Sequence, residues 1–305
     1  MQELFSGEGS TGKDFLAHIR QYNSSFAMTS FGHKDASVSG YNPSFKIQGQ
    51  VFHRIGSLFP PNEGHPKFLQ VYFMDNLQTE LEHRGRGQNL NHDILQTLTL
   101  WFHENNKYIK DLKTAREQIQ VGNLQEHKIV IREDKKPREE HARLYNAPST
   151  SSDIAILMSN EETSTRDIVL HTKNSSLRKI SELHRSYDPL QYPILFPFGT
   201  DGYHIYLKGT TGRKITMSQY YSYHLMVRDG NYLLTAKRLF QQFLVDMYAK
   251  IETERLQFLR REQQSLRVDN YNSLRDSLLA SDGNPNPTLE ALDIYTSDKW
   301  MPWHM

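Results

Sequence analysis

The sequence of 305 residues contains no cysteine. This absence excludes disulfide bonds, cysteine-ligated zinc, iron–sulfur clusters and a thiol nucleophile, and it argues against a small secreted scaffold. No segment approaches the roughly 18 consecutive apolar residues that a membrane-spanning helix needs. Residues 1–10 lack a basic stretch followed by an apolar one, so we expect no signal peptide. An intracellular protein without a membrane partner is therefore expected.

Several recurrent enzyme motifs are missing as well. The sequence has no complete phosphate-binding loop, no G-x-G-x-x-G after a predicted strand, no G-x-S-x-G and no H-E-x-x-H. Its 14 histidines never form a His-hydrophobic-His pair, and the nearest pattern is His204-Ile205-Tyr206. A metal that polarises a phosphodiester needs about three convergent ligands. We therefore expect no catalytic residue, no metal site, no cofactor and no enzymatic activity in this chain.

Positive and negative charges balance overall, with 36 Lys and Arg against 35 Asp and Glu and a net charge of +1. Their distribution is uneven. Residues 231–280 carry eight basic and six acidic side chains, whereas residues 281–305 carry one basic and four acidic side chains. A mildly basic body followed by an acidic tail is compatible with nucleic-acid contact but does not demand it.

The pattern of apolar residues indicates an α+β fold, with a β-rich N-terminal part, a mixed segment and a long amphipathic helix. We expect residues 1–30 to be weakly ordered, or to form one short helix, and residues 31–150 to form a β-rich subdomain with a helical insertion. Residues 151–280 are predicted to form a second domain. Residues 281–305 contain a cluster of Gly, Pro and Asn, and we expect them to be a divergent, disordered tail.

Local patterns give the expected elements. Alternation over 45–55 predicts a strand, and the aromatic and β-branched residues at 68–74 predict a second strand that pairs with it as a hairpin. Apolar residues at helical spacing predict helices over 91–120 and 233–267. Thr216 and Gln219 have the spacing of a capping box that begins a helix through Arg228. Further strands are predicted at 127–132, 154–158 and 167–171.

Two short stretches offer side chains that could do chemistry. His184-Arg185-Ser186-Tyr187-Asp188 could supply a general base with an orienting carboxylate. The competing interpretation, which we favour, is that His184 and Tyr187 bond to the backbone of a proline-rich loop. Tyr220, Tyr221 and Tyr223 could act as nucleophiles, as in DNA-nicking enzymes. Without a metal site beside them, aromatic packing on a helix is the favoured interpretation.

The stretch that follows Lys179 resembles a known family. It reads ISELHRSYDPLQYPILFPFGTDGY at 180–203, then YYSY at 220–223, RLFQQFLVDMYAK at 238–250 and ERL at 254–256. These residues are similar to the N-terminal region of Helitron transposases, the proteins of eukaryotic rolling-circle transposons, which is usually called the Helitron helicase-like N-terminal domain. A looser similarity begins at 45–56 and continues at 143–148, so that the resemblance covers roughly 31–280.

The resemblance implies a protein of the nucleus that takes part in rolling-circle replication of a transposable element. The full-length family member is implied to be a DNA-nicking endonuclease fused to a helicase. Its His-hydrophobic-His metal site and its tyrosine nucleophiles lie downstream of the matched region. Because this chain departs from the family after about Ala280, we expect a fragment truncated before the nuclease and helicase motifs, with no catalytic residue to carry over.

The expected partner is DNA, and single-stranded DNA is one form of it that we consider. Basic side chains that could contact phosphates are Arg54, Lys208, Arg213, Lys214, Lys237, Arg238, Lys250, Arg255, Arg260 and Arg261. A solvated helix face or turn is the competing interpretation of these residues.

Two further alternatives concern the state of the chain itself. It could be a transposon remnant whose long helix has lost the nuclease core on which it packs. Such a helix should self-associate through Leu239, Phe243, Met247 and Ile251. It could also be a captured protein-interaction module.

Overall fold

A computed structural model describes residues 2–35, 47–60, 65–74, 76–122, 127–131, 154–158, 168–171 and 178–263. The predicted tail over 281–305 and the looser similarity at 143–148 lie outside the described residues. The chain forms two compact units, residues 1–251 and residues 252–305. Of the second unit, the structure describes residues 252–263.

The described residues include helices and short antiparallel strands, which confirms the predicted α+β class. No described helix is long and apolar enough to cross a membrane. The described α-helices are α1 Gln2–Ser6, α2 Gly9–Ala17, α3 Ile19–Phe26, α4 Leu77–Gly85, α5 His92–Asn105, α6 Lys107–Gly122, α7 Tyr187–Gln191, α8 Met217–Leu225 and α9 Lys237–Arg261. The described strands are β1 Ser30–Asp35, β2 Ile47–Ile55, β3 His127–Ile131, β4 Ile154–Met158, β5 Ile168–His171 and β6 Arg178–Lys179.

The N-terminal residues differ from the expectation of weak order, because they form α1, α2 and α3. Phe15, Ile19, Tyr22 and Phe26 are fully buried and recur at helical spacing. The pattern is divided between two short helices that meet at His18, and such short elements give only a weak periodic signal in the sequence. The N-terminal helices are thus part of the core.

Two antiparallel sheets have the strand orders β1-β2-β6 and β4-β3-β5. The predicted strands at 45–55, 127–132, 154–158 and 167–171 correspond to β2, β3, β4 and β5. The predicted hairpin is wrong, because Phe68–Phe73 forms a 3-10 helix instead of a strand. Leu69, Val71, Tyr72 and Phe73 are all buried, and a short apolar run of this kind does not distinguish a strand from a buried helical turn.

The predicted helical region over 91–120 is confirmed as two helices, α5 and α6. Asn91 caps α5 by accepting hydrogen bonds from the backbone of Asp93 and Ile94. Asn106 occupies the junction, where its side chain accepts from the backbone of Tyr108 and donates to the carbonyl of Pro197. This second bond ties the helical pair to the segment 180–206, which is largely buried and irregular, as its three prolines predict.

Helix α9 begins four residues after the predicted start at residue 233, and the predicted end at residue 267 lies outside the described residues. The helix has one buried face in its first half. Leu239, Phe243 and Met247 lie in the same hydrophobic core as residues of α3, α5 and the segment 180–206. These side chains were expected to self-associate if the helix had lost its packing surface. They are instead covered by the chain itself, so the physical basis of that expectation is absent from the described residues.

A buried carboxylate links the helices α4, α5 and α6. Glu80 lies 2.7 Å from the guanidinium of Arg84 and 3.0 Å from Nε2 of His103, whose other ring nitrogen is 2.7 Å from Lys113. Burial by itself would raise the pKa of Glu80. The hydrogen bond from His103 and the charge of Arg84 outweigh burial and lower that pKa to about 2. The carboxylate is therefore ionised in the folded protein at all but very acid pH.

Replacing this carboxylate should weaken the fold and change its acid dependence. A folded-state pKa below the unfolded value stabilises the protein above about pH 4.5, and this stabilisation is lost as pH falls toward 2. We expect Glu80→Gln to lower the free energy of unfolding at pH 7 by about 2–3 kcal/mol, because Arg84 loses its buried counter-ion. The variant should also lose part of the decline in stability between pH 4.5 and 2. Urea unfolding at a series of pH values measures both.

The exposed Glu104 on α5 provides the control, since Glu104→Gln should change stability by no more than about 0.5 kcal/mol. Equal stability of Glu80→Gln and the parent protein at pH 7 would contradict a structural role for this ion pair.

Candidate nucleic-acid interface

A tight turn over residues 207–215 presents three of the predicted DNA-binding cations. Lys208 and Lys214 form an antiparallel bridge, and the turn is closed by a hydrogen bond from the Gly209 amide to the Arg213 carbonyl. Gly212 has φ of +74°, a backbone conformation that favours glycine. The backbone thereby brings Lys208, Arg213 and Lys214 onto one small structural element, which we call the cationic turn.

The cationic turn is exposed and lies within a stretch free of acidic residues. All three of its basic residues are exposed. Residues 202–228 contain no Asp or Glu, so no carboxylate from the neighbouring sequence neutralises the turn. Cations on a turn that is closed by backbone hydrogen bonds, without acidic neighbours along the chain, are suited to contacting phosphate groups.

Helix α8 follows the cationic turn directly and begins with a capping box. Thr216 accepts a hydrogen bond from the backbone of Gln219, whose side chain accepts one from the Thr216 amide, which confirms the predicted capping box. The helix ends at Leu225, three residues before the predicted end at Arg228. The capping box fixes the direction in which α8 leaves the turn.

Exposed aromatic residues near the cationic turn were not singled out as contact residues from the sequence. Tyr206 precedes the turn and is exposed. Tyr223 on α8 is exposed too, and the Arg228 guanidinium lies 3.7 Å from its ring centroid. Tyrosines close to basic residues were the available signal, but three tyrosines within four residues of one helix do not reveal from sequence which of them points outward.

Six of the remaining predicted cations are exposed but lie on other elements. Arg54 on β2 stacks over the Phe52 ring at 4.4 Å. Lys237 and Arg238 begin α9, whereas Arg255, Arg260 and Arg261 belong to its last turns. The structure therefore brings together three of the ten predicted cations as one cluster.

Lys250 does not belong to the surface at all. Its side chain is buried, with 2% of the residue exposed, and its ammonium forms an ion pair with Asp188 and a hydrogen bond with Tyr221. Lys250 was expected among the exposed cations, although it follows Met247 by three residues, a spacing that places both residues on one face of an α-helix. A buried ammonium with a carboxylate partner is unavailable to a phosphate.

Asp246, one helical turn before Lys250, is also a buried carboxylate and attaches α9 to other elements. Asp246 Oδ2 lies 2.8 Å from Nε2 of His53 on β2 and accepts a 2.8 Å hydrogen bond from the Tyr192 hydroxyl. Burial by itself would raise the pKa of Asp246. The charge of His53 and the hydrogen bond from it outweigh burial and lower this pKa. His53 is thus part of the interior.

One residue from each of the two stretches that could do chemistry, His184 and Tyr221, also lies in the interior. His184 is buried. Its Nε2 lies 3.3 Å from the carbonyl of Ile131 and its Nδ1 accepts from the Ser186 amide, which confirms the favoured interpretation for His184. The buried Tyr187 ring instead stacks on His53 at 3.8 Å. Burial and the charge of Asp188 raise the pKa of Tyr221 well above its usual value. A tyrosine kept neutral inside the protein is a poor nucleophile.

Glycines at the N-terminus resemble a phosphate loop only in their spacing. Residues 7–13 read GEGSTGK, but Asp14 occupies the position where that motif has Ser or Thr. Helix α1, and not a strand, precedes them. No group of three or more metal-ligating side chains occurs within the described ranges.

Comparison with known protein families identifies one match. Residues 220–299 match the Helitron helicase-like domain at the N-terminus. The match begins in α8, includes all of α9 and also covers residues 281–299, which we expected to diverge from the family. It confirms the resemblance over that range, and it relates the chain to the Helitron helicase proteins of transposons. The similarity upstream of residue 220, which includes the stretch 180–203 and the looser similarity at 45–56 and 143–148, stays a prediction. No curated protein matches the chain.

The Lys250–Asp188 pair should be a large contributor to the stability of the matched region. Lys250→Met leaves Asp188 buried without its cation and should cost about 3–5 kcal/mol. The double variant Asp188→Asn with Lys250→Met removes both charges and should be more stable than Lys250→Met alone. Arg238→Met, an exposed site on the same helix, should change stability by no more than about 0.5 kcal/mol. Chemical unfolding compares the four proteins, and a small effect of Lys250→Met would refute this role.

Proposed function

We propose that this chain is the DNA-binding and scaffolding part of a Helitron-type transposition protein and has no catalysis of its own. In this role it would act in the nucleus, during rolling-circle replication of the element. Two independent facts support the proposal: the family match over residues 220–299 and the cationic turn immediately before that range.

The single observation that carries the proposal is the geometry of the cationic turn. Three cations lie on a turn closed by backbone hydrogen bonds, and the chain on either side contains no acidic residue between 202 and 228. Each cation that neutralises a phosphate releases counter-ions from the DNA and so favours binding at low salt. Contacts of this kind position a protein on DNA without reading the sequence.

Exposed aromatic residues favour single strands as the form that is bound. Tyr206 and Tyr223 are both more than half exposed, and Arg228 stacks on Tyr223. In single-stranded DNA the bases are free to stack on aromatic side chains, whereas the bases of a duplex are already stacked on each other. A surface with both cations and tyrosines is therefore expected to prefer single-stranded DNA.

The proposal of no catalysis rests on where the reactive side chains lie. His184 and Tyr221 are buried and hydrogen-bonded inside the protein. Tyr223 is exposed, but its ring is covered on one face by Arg228. Nicking by a tyrosine needs a metal or an equivalent charge to stabilise the leaving oxygen, and no group of three ligands occurs among the described residues.

The alternative of a remnant that cannot fold alone required an uncovered apolar face on α9. That face packs against the chain itself, which argues against this alternative. The alternative of a captured protein-interaction module differs from our proposal in its ligand. Binding to DNA that depends on salt and on the cationic turn separates the two.

Neutralising the cationic turn should weaken DNA binding. We expect the variant Lys208→Gln, Arg213→Gln, Lys214→Gln to bind labelled single-stranded DNA at least 10-fold more weakly at low salt. The slope of log affinity against log salt should become shallower by about 2, since single strands contribute roughly 0.7 per neutralised phosphate. Fluorescence anisotropy at a series of salt concentrations measures both quantities.

The matched control is Lys13→Gln, Lys110→Gln, Arg178→Gln, which removes the same charge from three exposed sites elsewhere. If both triple variants lose affinity equally, binding depends on net charge and the turn is not the interface. If the parent protein binds no DNA at low salt, the proposed function is wrong.

A nicking assay tests the second half of the proposal. Incubation of the chain with single-stranded DNA and Mg²⁺ or Mn²⁺ should give no cleavage and no covalent protein–DNA product, because no exposed tyrosine is paired with a metal site among the described residues. Denaturing gels with end-labelled DNA show either product. Cleavage that disappears in Tyr223→Phe would overturn the proposal and identify Tyr223 as a nucleophile.

A further inference from the structure

The solvent-exposed side of α9 carries apolar residues in addition to those that face the core. Lys250, Met247 and Phe243 face the core. An α-helix has 3.6 residues per turn, so Tyr248, Glu252, Leu256 and Leu259, separated by steps of four, four and three residues, lie together on the opposite side. We call these four residues and Arg255 beside them the outer stripe.

The apolar members of the outer stripe are well exposed. Tyr248 is 62% exposed, Leu256 47% and Leu259 38%. The nearby Phe258 differs, because the Arg261 guanidinium lies 5.7 Å from its ring centroid and partly covers it. Single exposed apolar residues are common, but a row of them at helical spacing is typical of a surface that pairs with another helix.

The charges of the outer stripe make it complementary to itself. If two copies of α9 pack antiparallel with a two-fold axis between residues 253 and 254, Glu252 of one copy faces Arg255 of the other, twice. In the same register Tyr248 faces Leu259, also twice. A two-fold interface requires this reciprocity, in which residue i contacts j and j contacts i. A parallel pairing would instead place Glu252 against Glu252.

We propose that the outer stripe is a homodimerisation surface, with a second copy of α9 packed antiparallel against it through the Glu252–Arg255 and Tyr248–Leu259 contacts. The sequence predicted self-association through a different set of residues, Leu239, Phe243, Met247 and Ile251. Leu239, Phe243 and Met247 are buried in the core, and Ile251 is partly buried and packs against it. The proposed interface therefore lies on the opposite side of the same helix from the surface that was predicted from the sequence. The proposal does not depend on DNA binding.

The pairing is expected to be weak. One pair of helices over about three turns buries less than the roughly 1,200 Å² of a standard stable interface. We therefore expect a dissociation constant of about 10–100 µM, which sedimentation equilibrium at a series of protein concentrations measures. A second, DNA-bound copy would raise the local concentration and favour the pair.

Charge reversal tests the register. Glu252→Arg places cation against cation and Arg255→Glu places anion against anion, so each single variant should dimerise at least 10-fold more weakly. The double variant Glu252→Arg, Arg255→Glu restores the opposite charges and should dimerise like the parent protein. Arg261→Glu reverses a charge on the other side of the helix and should have no effect. Circular dichroism confirms that each variant keeps its fold.

Cross-linking provides a second test that needs no change of charge. The parent chain has no cysteine, so a pair introduced by Tyr248→Cys and Leu259→Cys reports only the proposed contact. Within one helix the two sites are about 16 Å apart, too far for an intramolecular disulfide. Oxidation of the double variant should give a covalent dimer, whereas either single variant should stay monomeric because its two copies of the same site are equally far apart.

Three results would overturn the proposal. One is a parent protein that is monomeric up to several hundred micromolar. Another is a dimer that the charge-reversal pair does not rescue, which would mean a different occupant or a different register. The third is equal cross-linking by the single and double cysteine variants. Because these experiments contain no DNA, they fail or succeed independently of the proposed DNA binding.

Discussion

The buried contact between Lys250 and Asp188 is the interaction on which the arrangement of the C-terminal half of the first unit depends. An ammonium inside a protein is strongly unfavourable unless a carboxylate and hydrogen-bonding groups replace its water. Asp188 at α7 and Tyr221 on α8 provide this replacement for Lys250 on α9. Three separate helices must therefore come together before the lysine can be buried. The contact also leaves no room for a side chain at Gly202, where a Cβ would lie 2.7 Å from Asp188.

Asp246, one helical turn before Lys250, extends the same constraint to the first sheet. Its carboxylate binds His53 on β2 and Tyr192 after α7. The His53 ring in turn stacks on Tyr187 at 3.8 Å. Two charged residues at i and i+4 thus attach one helix to a strand, to two other helices and to the proline-rich segment. Several residues of the stretches that carry the family resemblance, including Asp188, Tyr192 and Asp246, build this interior.

This arrangement separates two kinds of charge that look alike in the sequence. Charges on one face of α9 are paired and buried and hold the fold together. The cations of the turn at 207–215 are exposed and held in place by backbone hydrogen bonds, and those near the end of α9 are exposed as well. The proposed binding functions use the exposed group, because a charge that already has a buried partner gains nothing from a phosphate or a second copy. The rigid interior matters to these functions because it fixes where the exposed charges lie.

Much of this could be predicted from local pattern alone. Apolar spacing predicted α5, α6 and α9, alternation predicted the strand at 45–55, and the Thr216–Gln219 pair predicted the start of α8, because each signal depends on neighbours along the chain. The sequence by itself also determined that cysteine chemistry is absent. Only the tertiary structure decided which charges are buried. Lys250 and His53 are polar residues, and their partners Asp188 and Asp246 lie 62 and 193 residues away in the chain. The same dependence on tertiary contacts applies to the 3-10 helix at 68–73, where Leu69, Val71, Tyr72 and Phe73 are buried without forming the strand that their residue types favour.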